Sequence, residues 1–393
     1  MMDPIWLLLL LPLAGLSGWV AAQRGRFSGP NASGPKEISD SYVRSINFLA
    51  NDQHDEALDV LAKALEEYDE SLEIQLALGT LFRRRGEIEK ATQIHQGLIS
   101  RAGISSEQKS QVLFELANDY FKAGLLDRAE NLLLELGASE SFREASLRLL
   151  VQIYESEREW ERVIAAAGHL DTLTTEVWAP RIAQYQCELA ERALNAGDYA
   201  AAKDRTTNAL KLNRNCARAI ILRGRLEALS GKHRQAVTTW TRLCADHPEM
   251  LNEVARLVQT SAESVGKSDL YIDFLRRALE SSSDERLQLL LVDFLSQEGR
   301  STEAEAHLES WVEEHGSLSG LNRLLEIRAD SRLNSDSSSD YELMRNVAGK
   351  LLADRPGYEC RFCGFQGKSM HWQCPGCRHW DTTAPRLATI KLS

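Results

Sequence analysis

An all-α solenoid of stacked helix pairs, with a membrane-spanning helix ahead of it and a small metal ribbon behind it, is the architecture this sequence predicts. Three features carry that prediction. Small residues recur through the middle of the chain at a spacing close to 34, an apolar run of eighteen residues opens it, and two Cys-x-x-Cys pairs stand near its end.

The spacing is measured on a small residue near the start of the second helix of each pair. Ala57 and Ala91 are 34 residues apart, Ala129 follows after 38 and Val163 after another 34. Ala202 comes 39 later, and Ala236, Leu270 and Ala304 then fall at intervals of 34. The two longer steps are insertions of four and five residues, which loops between helices absorb at little cost. A period of 34 with this small residue is the tetratricopeptide unit. Other landmarks move with it: Gly79-x-x-Phe82 before Gly86, Ala117-x-x-Tyr120 before Gly124, Gly197-Asp198-Tyr199, Gly224 through Gly231 to Trp240 and Pro248, and Gly299. The expected array spans 38–329 with about eight repeats, those around Val163 and Leu270 being degenerate. A helix pair cannot bury its apolar face alone; stacked pairs share one core and present a groove suited to binding rather than to chemistry. Phe82, Tyr120 and Trp240 sit where the repeat packs and are expected in the core.

The first element is read from hydropathy and flanking charge. Ile5 to Ala22 contains no charged residue and is just long enough to span a bilayer. Trp6 and Trp19 lie near its two ends, where an aromatic belt places them. Asp3 precedes the run, and Arg24 and Arg26 follow it, so the positive-inside rule keeps the body of the protein on the cytoplasmic side of a single-pass anchor (1–22). Val20-Ala21-Ala22 resembles a signal cleavage site, but the acid ahead of the run does not suit a signal peptide. Residues 23–37, rich in Gly, Pro and Ser, read as a flexible tether. Residues 330–340 read as a Ser-rich linker, and 341–354 as a packing helix with Leu343, Val347, Leu351 and Leu352 on one face.

The last element (355–393) holds Cys360-Arg361-Phe362-Cys363 and, ten residues on, Cys374-Pro375-Gly376-Cys377. Each pair forms a tight knuckle that aims two thiolates at one point, and two knuckles make a tetrahedral cage. About forty residues bury too little core to fold alone, so metal binding there is folding free energy. Two disulfides would need an oxidising compartment. Cys187, Cys216 and Cys244, scattered singly through helical sequence, read as small buried residues and argue against one. Cys-x-x-Cys-Gly followed by Cys-Pro-x-Cys is the rubredoxin knuckle, here with a short spacer, and such a cage takes one iron or zinc ion at Cys360, Cys363, Cys374 and Cys377. His371 and His379 flank the second knuckle and are expected outside a coordination sphere already filled by four sulfurs.

Composition excludes more than it selects. Net charge is −11, yet residues 355–393 hold six Lys or Arg against two acids, so a basic ribbon can dock on an acidic array. There is no phosphate-cradling glycine loop, no G-x-S-x-G elbow and no H-E-x-x-H, and no catalytic residue is nominated. Two other classes stay open at this point. One is electron transfer through the ribbon. The other is single-stranded nucleic acid held on Phe362, Phe365, Trp372 and Trp380.

The whole arrangement resembles the lipopolysaccharide assembly protein B family. The tail carries most of the resemblance, in Tyr358-x-Cys360-x-x-Cys363-Gly364-Phe365 and His371-Trp372-x-Cys374-Pro375-x-Cys377-Arg378-x-Trp380. Leu78-Gly79-x-Leu81-Phe82-Arg83-x-Arg85-Gly86-Glu87 and Asp119-Tyr120-x-x-Ala123-Gly124-Leu125-x-Asp127-Arg128-Ala129-Glu130 add to it. The resemblance implies a non-enzymatic inner-membrane adaptor that restrains lipopolysaccharide synthesis by helping the membrane protease FtsH degrade the lipid A deacetylase LpxC. It implies that other lipopolysaccharide assembly proteins gather on it, that no nucleic acid is bound, and that the four cysteines hold the metal. The Ser-rich linker and the Gly/Pro tether depart from the family pattern.

Overall fold

A computed structural model of the chain describes residues 60, 71–281, 285–331, 346–347 and 357–385. The expected anchor (1–22), the tether (23–37) and Ala57 lie outside the described residues, as do most of the expected linker and packing helix. Of that helix Asn346 and Val347 are described, and they are helical and exposed. Among the described residues no helix is long and apolar enough to cross a membrane.

The described residues form helices that pair along the chain. Two compact units divide it, Met1–Ser146 and Leu147–Ser393. In the first unit α1 (Leu72–Arg84) pairs with α2 (Ile88–Ile99) and α3 (Ser106–Lys122) with α4 (Leu126–Leu136). Helix α5 (Arg143–Glu157) begins at the division and precedes α6 (Trp160–Leu173). In the second unit α7 (Ala179–Asn195) pairs with α8 (Tyr199–Leu212), α9 (Ala217–Leu229) with α10 (His233–Asp246), α11 (Leu251–Ser264) with α12 (Ser268–Ser281) and α13 (Glu285–Gln297) with α14 (Ser301–His315). Helix α15 (Leu318–Ser331) closes the array. This is a tetratricopeptide-repeat solenoid, as the spacing predicts.

The 34-residue ruler marks one structural slot, the fourth residue of the second helix. Ala91, Ala129, Val163, Ala202, Ala236 and Ala304 each fill it with no exposed surface. In the pair α11–α12 the slot moves on by one residue. Leu270 is only half-buried, and Tyr271, 1% exposed, takes the position and stacks edge-on against Phe294 at 4.7 Å. A large ring there explains why this repeat looks degenerate in sequence.

Close approach of the two helices is what the consensus glycines permit. A β-carbon on Gly224 would lie 2.2 Å from the Trp240 ring, and one on Gly79 would lie 2.4 Å from the His95 ring. Trp240 is 1% exposed and donates its indole N–H to the Ile221 carbonyl. His95, wholly buried, meets the Asp119 carboxylate, which also takes Arg83 at 2.8 Å. The turns within pairs use a left-handed residue to reverse direction. Glycine supplies it at 86, 124, 197, 231, 266 and 299, but between α5 and α6 the residue is Arg158 at φ 57°.

Behind the array a three-stranded antiparallel sheet is built from β1 (Tyr358–Cys360), β2 (Gln366–Gly367) and β3 (Thr383–Pro385), with β1 in the centre. Tyr358 faces Gly367 on one side and Pro385 on the other. These strands are too short to bury a core of their own; β1 ends on Cys360 and so places the first knuckle, while an isolated bridge between Gln373 and Trp380 closes the second.

Candidate metal centre

The two knuckles are built alike. In the first, the Gly364 N–H donates to the Cys360 carbonyl at 2.9 Å; in the second, the Arg378 N–H donates to the Cys374 carbonyl at 2.8 Å. Both hinge residues take positive φ, 74° at Gly364 and 59° at Arg378. The first knuckle therefore uses the residue suited to that conformation, and the second uses an arginine, which is strained there.

The four sulfurs of Cys360, Cys363, Cys374 and Cys377 lie within 4.8 Å of one another. Cys360 and Cys377 approach to 3.7 Å, as do Cys363 and Cys374. A tetrahedral ion with metal–sulfur bonds of about 2.3 Å sets its sulfurs roughly 3.8 Å apart. The cage fits one tetrathiolate metal ion, iron or zinc. All four cysteines are free. The Cys360 thiol is held down to about 6, first by its hydrogen bond with Thr382, whose hydroxyl oxygen is 3.3 Å away. The Cys377 thiol is pushed up to about 12, first by desolvation, with the neighbouring sulfurs adding to it. Four sulfurs this close cannot all carry charge without a cation among them.

His371 and His379 stand outside the cluster. His379 approaches the Cys377 carbonyl at 3.1 Å and stacks on Phe362 at 3.9 Å, while His371 lies edge-on to Phe365. Cys187, Cys216 and Cys244 are buried and free, away from the cage in sequence and packed among helices.

The ribbon is seated on the helices of the second unit. Trp380 meets Trp160 and Tyr185 edge-on at 6.1 and 5.7 Å, and donates its indole N–H to Glu155 at 3.1 Å. Arg218 lies over the rings of Trp372 and Trp380, at 5.7 and 6.0 Å. The Tyr358 hydroxyl donates to Glu253, and Arg286 donates to the Gly357 carbonyl and covers the Tyr358 ring. Met370 and Trp372 pack against the core that runs from α9 to α15. Glu155, Tyr185, Arg218, Glu253 and Arg286 stand on α5, α7, α9, α11 and α13, the first helix of successive pairs. Within the second unit α7 touches α9, α9 touches α11 and α11 touches α13, so these helices form one continuous row. The ribbon lies along that row.

Most polar groups in the seat are paired, the exceptions being Arg218 Nη1, Arg181 Nε and Gln184 Oε1. Glu155 accepts from Tyr185, Trp380 and Arg181. Arg218, 3% exposed, is held by Glu191 and Glu188. Burial first, then the adjacent Glu155 carboxylate, push the Tyr185 phenol far above its ordinary value, so it stays a donor. Two of the four aromatic residues that a single strand would stack on, Trp372 and Trp380, are taken up by this seat. The ribbon does sit on the array, but by contacts other than the charge attraction expected from composition: Trp380 and Tyr358 donate to Glu155 and Glu253, and Arg218 and Arg286 of the array lie over ribbon rings.

Comparison with known proteins follows the same division. Residues 358–385 match the rubredoxin metal binding domain family, and residues 42–102 and 187–250 match the tetratricopeptide repeat family. Over 379 residues, 96% of this chain and 97% of the relative, the sequence is 30% identical to lipopolysaccharide assembly protein B of Escherichia coli strain K12. The chain belongs to the lipopolysaccharide assembly protein B family. The Haemophilus influenzae member is 28% identical over 387 residues, again 96% of this chain and 97% of that one. A solved structure described as the functional characterization of Pseudomonas aeruginosa pilF matches at TM-score 0.35 and 18% identity, over 54% of this chain and 93% of the other, a likeness too loose to bear on function.

Proposed function

We propose that this family member is a non-enzymatic adaptor of lipopolysaccharide assembly, anchored in the inner membrane by residues 1–22 with its array and ribbon on the cytoplasmic side. It promotes proteolysis of the lipid A deacetylase LpxC by the membrane protease FtsH, and other lipopolysaccharide assembly proteins gather on it. The observation that carries this reading is the match to lipopolysaccharide assembly protein B over nearly the full length of both chains. The architecture supports it: stacked helix pairs supply binding surface. Tethering such a surface beside a membrane protease raises the local concentration of its substrate without new chemistry.

In this reading Cys360, Cys363, Cys374 and Cys377 hold one metal ion, and the ion's part is structural, tying two knuckles that have no core between them. The domain plan follows as anchor 1–22, tether 23–37, array 38–329, linker 330–340, packing helix 341–354 and ribbon 355–393.

The half-life of the deacetylase in cells with and without this protein tests the proposal. Depletion is expected to lengthen it several-fold. An unchanged half-life refutes the adaptor role in proteolysis and leaves a tethered scaffold whose partners must be found by crosslinking.

A further inference from the structure

A cleft of about 350 Å³ with no ribbon residue in its lining opens between α10 and α12, the second helices of two successive pairs. Helix α11 packs against both. The floor of the cleft is apolar: Phe274 is 4% exposed, and Val237 and Leu270 are half-buried beside it. Its walls are charged. Arg234 and Arg242 reach it from α10, and Arg277 and Asp273 from α12, all four of them exposed.

Neighbouring second helices elsewhere are bridged by an ion pair. Arg205 of α8 meets Glu161 of α6 at 3.9 Å, and Arg276 of α12 meets Glu303 of α14 at 2.8 Å. Between α10 and α12 no such bridge forms among the described residues. The side chains of Arg234, Arg242 and Arg277 have no ion pair or hydrogen bond there, and Asp273 pairs with none of them. Arg276, next to Arg277 in the chain, shows what an arginine on this helix does when a carboxylate is within reach.

The balance of charge selects the ligand. Three guanidinium charges against one carboxylate leave the lining at net +2. A phosphate monoester carries nearly two negative charges at neutral pH and three terminal oxygens, which planar guanidinium forks match bidentately. A carboxylate brings one charge and two oxygens, too few for three arginines. The apolar floor is covered from water only if the phosphate is attached to something apolar. We infer that this cleft binds a phosphate monoester carried on an apolar body, with Arg234, Arg242 and Arg277 on the phosphate oxygens and Phe274, Val237 and Leu270 beneath the body. Asp273 works against the bound charge. The head of a phosphatidic-acid-type lipid and a small soluble phosphomonoester share this chemistry, and the test separates them. The assignment does not depend on the adaptor reading above.

The test titrates the full-length, metal-loaded protein in a nonionic detergent, by calorimetry, with dihexanoyl phosphatidic acid, phenyl phosphate, inorganic phosphate and dihexanoyl phosphatidylcholine. Saturable binding of a phosphomonoester is expected, with none of the phosphatidylcholine. Each of Arg234→Gln, Arg242→Gln and Arg277→Gln is expected to weaken it about tenfold, the loss of one charge-assisted contact. Asp273→Asn is expected to tighten it several-fold, and Arg256→Gln, exposed on α11 outside the cleft, to leave it unchanged. All five positions are exposed, so metal content and circular dichroism are expected to stay as in the wild type. Preference for phosphatidic acid assigns the cleft to a lipid head, and equal binding of phenyl phosphate assigns it to a soluble ligand. The inference is overturned if neither binds saturably, if the three arginine variants bind like the wild type, or if inorganic phosphate binds as tightly as both.

Discussion

The helix array and the ribbon are held together by opposite means. Each helix pair of the array buries its own slot residue against the neighbouring helix, so stability accumulates from nearest-neighbour contacts. The ribbon has two- and three-residue strands and depends on a cage of four sulfurs and on its seat along α5, α7, α9, α11 and α13. Damage to the array is therefore expected to be local and graded, and damage to the ribbon all-or-none.

The largest effect is expected at the cage. Cys360→Ser or Cys374→Ser leaves three thiolates, and the metal and the ribbon fold are expected to be lost together while the array keeps its helical circular dichroism. Metal analysis by mass spectrometry with limited proteolysis of the tail would show it; a protected, metal-free tail would mean that the seat alone folds the ribbon. Acidification should act in the same direction, because thiolates must stay deprotonated to hold the ion. Next comes the seat itself. Trp380→Ala deletes two edge-on ring contacts, a hydrogen bond to Glu155 and an arginine stack, and is expected to cost about 3–5 kcal/mol in the ribbon's association with the array. Hydrogen exchange at Tyr358–Cys360 should rise with the metal still bound; unchanged protection would deny the seat its energetic role.

Within the array the expected effects are smaller. Gly224→Ala drives a methyl group into the Trp240 ring, and overpacking of this kind costs about 1–3 kcal/mol, read as a lower denaturant midpoint with the metal site intact. Smallest is a pair of gains. Arg158→Gly and Arg378→Gly each relieve a left-handed non-glycine residue and are expected to add roughly 0.5–1 kcal/mol, one to the array and one to the ribbon. If only the second registers in metal affinity and only the first in array stability, each turn acts within its own region and not through the seat that joins them.

The two regions also differed in how far their residues announced them. The slot residues, mostly alanine, and the turn glycines answer steric demands, so among the described residues the ruler found every slot but that of Tyr271, where a ring replaces the small residue and shifts the slot by one. The cysteines announced themselves because two such pairs at this spacing suit a metal cage, and the lone cysteines elsewhere argue against disulfides. The seat did not. Glu155, Tyr185, Arg218, Glu253 and Arg286 sit on helix faces where a charged or phenolic residue reads as solvent-exposed, and nothing in their spacing distinguishes a face turned to water from one turned to a distant segment. Trp372 and Trp380 looked like a stacking platform for the same reason: an aromatic pair is legible as a contact surface, but its partner is not. The sulfur of Cys216 against Gln184 carries no sequence signal at all.

The seat joins residues far apart along the chain: Arg286 to Gly357 across 71 positions, Tyr358 to Glu253 across 105, and Trp380 to Glu155 across 225. During synthesis the array can zip up pair by pair as it leaves the ribosome, since each pair needs only its neighbour. The closing contacts need the final residues and, with them, a metal ion. A chain that has made its helices but not yet its tail would leave bare the faces of Trp160 and Tyr185 that Trp380 covers. If the cage is needed to bring the ribbon to its seat, a cell short of metal would accumulate chains folded through the array and open at the three contacts that reach from the tail.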